Sequence, residues 1–74
     1  MILKYVRYSN DKIVLFPKMY DHAKTCREFN IPADTIISAG FVYMDDNFDV
    51  TGESVSLGVK SKKEDKDILK AFCR

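Results

Sequence analysis

Residues 52–61, Gly-Glu-Ser-Val-Ser-Leu-Gly-Val-Lys-Ser, run a strand pattern directly into a helix start. Val55, Leu57 and Val59 alternate with Ser54, Ser56, Gly58 and Lys60, the two-residue period of a strand with one apolar face and one face of small polar side chains. Ser61 followed by Glu64 is the spacing of a capping box, in which each side chain satisfies a free backbone N–H at a helix start. Ile68, Leu69 and Phe72 then supply a buried stripe, Glu64 and Asp65 suit the positive helix end, and Lys70 and Arg74 suit the negative one. The chain is thus expected to end as strand then helix, with Val55, Leu57 and Val59 in the core.

The pattern has a phase slip. Phe48 and Val50 are apolar on even numbers, whereas the next apolar run falls on odd ones, so Thr51-Gly52-Glu53 marks a bulge or a turn between two strands. Upstream, residues 1–8 and Ile13–Phe16 read as paired strands joined by a tight turn at Asn10-Asp11. Four successive apolar residues in the second strand suggest burial on both faces and a central place in the sheet. Pro17 closes that strand, and Met19, Ala23, Cys26 and Phe29 recur at helical spacing, which predicts a helix over Lys18–Phe29. Asn30 suits a left-handed helix end and Pro32 prevents continuation. Residues 35–44 read as a long strand, or a turn leading into one, followed by a turn at Asp45-Asp46-Asn47.

The resulting order is strand, strand, helix, twice over. It predicts a single α+β domain over residues 1–74: a small two-layer fold of ββαββα order, with a mainly antiparallel sheet of about four strands and both helices on one face. A chain of 74 residues has a thin core, and a sheet face left uncovered in so small a domain is a natural dimer surface.

Several function classes are disfavoured. The start, Met1 to Arg7, lacks the apolar run and small-residue cleavage site of a secretory signal, and no apolar stretch reaches transmembrane length, so a cytoplasmic protein without membrane contact is expected. Cys26 and Cys73 have neither metal-ligand nor disulfide-framework spacing and are expected to be reduced. The net charge of +1 favours neither nucleic acid nor a lipid surface. In the acidic turn, Asp45, Asn47 and Asp49 match the first ligand positions of a calcium loop, but Val50 stands where the loop needs Gly and Ser56 where it needs Glu. No metal and no cofactor is expected.

The remaining candidates are binding residues. His22 lies beside the helical stripe; it reads as a partly buried structural histidine in preference to a catalytic base, because no nucleophile or orienting acid shares its spacing. No serine lies in a nucleophile elbow, since Gly52-Glu53-Ser54-Val55-Ser56 lacks the closing glycine. Ser38 and Gly40 share parity on one strand, as do Ser54, Ser56 and Gly58 on another; if those strands pair, they form a shallow patch able to take a ligand or a subunit. Lys62, Lys66, Lys70 and Arg74 form a basic ridge at four-residue spacing, interrupted by Glu64, Asp65 and Asp67. The sequence therefore points to a small non-catalytic binding or assembly module, homo-oligomeric, acting through the Ser/Gly patch with His22 nearby. The alternative is a nucleotide or nucleic-acid binder using Lys62, Lys66 and Lys70 as phosphate contacts.

Overall fold

The computed structural model describes residues 1–45 and 48–72. The elements are β1 (Ile2–Tyr8), β2 (Lys12–Pro17), α1 (His22–Glu28), a 3₁₀ turn (Ala33–Thr35), β3 (Ile36–Met44), β4 (Phe48–Thr51), β5 (Glu53–Ser54), β6 (Val59–Lys60) and α2 (Asp65–Phe72). A four-stranded antiparallel sheet has the order β2-β1-β3-β4, and β5 and β6 form a separate two-stranded ribbon. The α+β class and the antiparallel four-stranded sheet agree with the sequence reading, and so does the ββαββ…α order apart from the added β5–β6 ribbon. Cys73 and Arg74, like Asp46 and Asn47 of the acidic turn, lie outside the described residues.

The helices do not share a face. Strand alternation sends Val6 of β1 to one side, where it meets Val14, Phe16 and Ala39 from the sheet and Cys26 of α1. Tyr5 goes to the other side, where it meets Ile13, Val42 and Leu69 of α2. Each sheet face therefore has its own small core and its own helix, and the uncovered face expected from the sequence is absent. The crossover that achieves this is the β5–β6 ribbon. Gly52, at φ +77°, turns the chain off the end of β4, and Leu57 and Val59 pack on the α1 side before the chain returns to start α2.

This arrangement also explains β2. Its apolar run reports burial from both sides, as read, yet β2 is an edge strand: the two cores cover its two faces, Val14 and Phe16 on one and Ile13 on the other, without a second strand neighbour. The β1–β2 turn places positive φ at Ser9 and Asn10, one residue earlier than expected.

The first helix is shorter than its sequence pattern. Pro17 stays paired with Leu3 in the sheet, and the Tyr20 N–H donates to the Pro17 carbonyl at 3.1 Å, so residues 17–20 form a turn. Asp21 then caps α1, accepting the Lys24 N–H at 3.0 Å. Met19 falls outside the helix and is exposed, and Phe29, at the C-cap, is 58% exposed. The C-terminus matches expectation: Asn30 is left-handed at φ 57°, with Asn30 N–H donating to Arg27 O (3.2 Å) and Ile31 N–H to Cys26 O (2.9 Å), a Schellman end.

The opening segment departs furthest from its pattern. Residues 55–58 are a four-residue turn between β5 and β6, closed by Gly58 N–H to Ser54 O at 2.9 Å, and Val55 is 87% exposed. Only Leu57 and Val59 of the three alternating residues reach the core. Likewise α2 begins at Asp65: its carboxylate, not that of Glu64, reaches back to a backbone N–H, that of Lys62. Leu69 is buried, while Phe72 is exposed.

Candidate functional site

A buried carboxylate with several polar contacts was not a sequence candidate. Asp65, the first residue of α2, is 0% exposed and accepts from Tyr5 Oη, from Arg7 Nη1 at 3.1 Å, from Ser38 Oγ at 2.8 Å and from the Lys62 N–H at 2.9 Å. The sheet dictates the convergence: Tyr5 and Arg7 are two apart on β1 and so share a face, and Ser38 lies directly opposite Arg7 on β3. A second carboxylate, Glu64, meets Arg7 Nη1 at 3.3 Å, but it is largely exposed and contributes little. Burial, followed by the hydrogen bond to Asp65 and the charge of its carboxylate, pushes the Tyr5 phenol well above its ordinary range, so it stays protonated and donating. Tyr5, Ser38 and Asp65 have no solvent access, so no substrate can reach them. The cluster pins α2 to the sheet. In the sequence its only trace was an acidic residue at a helix start, which is ordinary.

His22 is buried, with 4% of its surface exposed. Its Nε2 is 3.0 Å from the Gly40 carbonyl oxygen, and its ring meets Phe16 and Phe41 edge to face at centroid distances of 5.4 and 5.9 Å. With Nε2–H donating to that carbonyl, burial, the largest influence on the ring, lowers its pKa. Among the described residues its ring partners are the Gly40 carbonyl and the two phenylalanines, not a nucleophile or a carboxylate.

The Ser/Gly patch does not assemble. Ser38 is spent on Asp65 beneath α2. Gly40 is a glycine because of close approach: a Cβ there would sit 2.5 Å from Thr51 O and 3.2 Å from Ser61 Cβ. Ser54, Ser56 and Gly58 lie in the ribbon instead, where Ser54 Oγ accepts the Leu57 N–H at 3.2 Å and Ser56 Oγ accepts the Ala23 N–H of α1 at 3.3 Å. Together with Asp21, Ser56 thus satisfies the first turn of α1. These residues close turns and join elements, and the pairing of their strands that the patch required is replaced by the β5–β6 hairpin.

The basic ridge is also broken. Lys62 precedes α2, Lys66 Nζ pairs with Asp49 of β4 at 3.2 Å, and Lys70 is exposed. Asp49 thus pairs with a lysine, and among the described residues no group of His, Cys, Asp and Glu could hold a metal ion. Among the described residues, too, no helix is long and apolar enough to cross a membrane.

One solvent-open region with apolar lining sits beside β2. A largely apolar groove of about 320 Å³ is lined by Leu15, Phe16 and Pro17 of β2, by Tyr20, and by Thr25, Glu28 and Phe29 at α1. Tyr20 and Phe29 are 53% and 58% exposed. Among the described residues, β2 has β1 as its neighbour on one side and no strand on the other, so that edge of its backbone has no sheet partner there. Compared with known protein families, curated proteins and solved structures, the chain matches none.

Proposed function

We propose that the protein is a small non-catalytic assembly module of the cytoplasm that acts as a homo-oligomer through the β2 edge and the groove beside it. The observation that carries this reading is the coincidence of an unpaired strand edge with an apolar groove flanked by exposed Tyr20 and Phe29. The alternating donors and acceptors of such an edge, hydrated in the monomer, are a template for an added extended strand. Pairing of β2 with the β2 of a second copy would follow a twofold axis normal to the sheet. It keeps each sheet face continuous and brings two α1 grooves together. Lys12 and Pro17 bracket the edge, which limits the pairing to a short strand and opposes open-ended growth.

A catalytic role finds no support in the chemistry of the site: Asp65, Tyr5, Ser38 and His22 are buried on internal partners. The nucleic-acid reading is weakened by the Lys66–Asp49 pair and by the burial of Ser38 and Gly40. Light scattering and sedimentation equilibrium test the proposal. A dimer that becomes monomeric in Phe29→Glu supports it, because an exposed position tolerates the charge in the monomer. A monomer at high micromolar concentration refutes it.

A further inference from the structure

We infer that α1 is an acid-releasable element of this fold, with the ring of His22 as its clasp and the α2 half of the molecule left in place when it opens. This goes beyond the assembly reading and does not depend on it.

His22 is the first residue of α1, and its ring is the part of that helix inserted between Phe16 of β2 and Phe41 of β3, hydrogen bonded to Gly40. The charged groups facing it are Lys4 of β1, whose Nζ lies 5.8 Å from the Phe41 ring centroid, and Asp21 at the helix cap. β2 and β3 present Phe16, Gly40 and Phe41, and the ribbon presents Ser56 at the neighbouring Ala23; none of these carries charge. Burial is the largest influence and disfavours the imidazolium; the Gly40 carbonyl opposes it, Lys4 adds to it, and Asp21 opposes it. The net direction is down. A histidine whose folded-state pKa is depressed stabilises the closed form fully above its unfolded value, and that contribution is lost as pH falls below it.

The loss is local because the fold has two cores. α1 contributes Cys26, with Ile31 just after it, to the cluster of Val6, Val14, Phe16 and Ala39, whereas α2 belongs to the opposite cluster and to the Asp65 network. α1 is seven residues long, too short to persist alone, and its direct hydrogen bond to the ribbon is the exposed Ser56–Ala23 contact. Turns at residues 17–20 and at Asn30 flank it. A charged ring that must leave its aromatic cage therefore takes the helix with it, by local opening.

Hydrogen exchange of the full chain at pH 7.5 and 5.5, converted to protection factors, tests this. From an unfolded-state value of 6.5, protection at Thr25 and Phe29 should fall by up to about tenfold while Val6, Val42 and Leu69 change little. His22→Gln keeps an N–H donor for Gly40 and cannot titrate, so the difference between the two pH values should vanish. An equal loss on both faces, or the same loss in His22→Gln, overturns the inference. Should that variant not fold, the NMR titration of the His22 ring in the native chain decides: a midpoint well below 6.5 supports the clasp, and one at or above 6.5 overturns it.

Discussion

Removing the Asp65 carboxylate tests the central structural argument. Asp65→Ala takes the acceptor from the Tyr5 and Ser38 hydroxyls, which have no solvent access, and from Arg7, whose side chain is 11% exposed. A buried donor left unpaired costs about 1–3 kcal/mol, and breaking a buried ion pair by removing one partner costs about 3–5 kcal/mol. These losses overlap because the donors share one acceptor, so the expected total is roughly 3–5 kcal/mol and not their sum. At roughly 0.05–0.15 kcal/mol per residue, a chain of 74 residues has about 4–11 kcal/mol in all. Asp65→Ala should therefore lose a large share of the stability at 25 °C, and nearly all of it at the lower end of that range, and Asp65→Asn, which keeps the shape and one carbonyl acceptor, should fall between it and the native chain. Urea unfolding at neutral pH, read by circular dichroism with the m-value held common, measures the difference. In a double-mutant cycle with Tyr5→Phe the two losses should be strongly non-additive. An Asp65→Ala variant within about 1 kcal/mol of the native chain would show that the donors find water or other partners, and the pin would lose its meaning.

Three further outcomes follow from the same geometry. Gly40→Ala places a Cβ against the Thr51 carbonyl oxygen, backbone that cannot swing away, and should cost about 1–3 kcal/mol in urea unfolding; a neutral effect would mean that β4 shifts freely. Val55→Asp, at an exposed turn position that the strand pattern assigned to the core, should change stability by less than about 0.5 kcal/mol, and a large loss would restore the strand reading. The Tyr5 phenol, raised mainly by burial, favours the folded state fully below its unfolded value near 10, and that contribution is lost as pH rises beyond it. In spectrophotometric titration Tyr5 should ionise together with alkaline unfolding, and Tyr5→Phe should lose that coupling.

Much of the local structure was legible because local chemistry dictates it. Asn30 and Gly52 adopt the positive φ that their positions required, and the apolar run of Ile13 to Phe16 does report burial on both faces. The candidate site was less legible. The parity that aligned Ser38 with Gly40, and Ser54 with Ser56 and Gly58, is real, but parity fixes a face only within a strand; it cannot say which strands pair. The ribbon turns Ser54, Ser56 and Gly58 into turn closers, whereas Ser38 serves Asp65 from the main sheet.

Sequence alone determined the α+β class, the element order apart from the ribbon and the absence of any recognisable catalytic spacing, since periodicity, caps and turn residues act over a few positions. The tertiary structure alone decided that α1 and α2 cover opposite faces and that β2 is an edge. It also decided that Tyr5, Arg7, Ser38 and Asp65 meet, although as many as 60 positions separate them along the chain. Contacts at that separation depend on strand pairing and on which side a connection crosses. Those choices are made by packing two cores at once, and no local pattern encodes them.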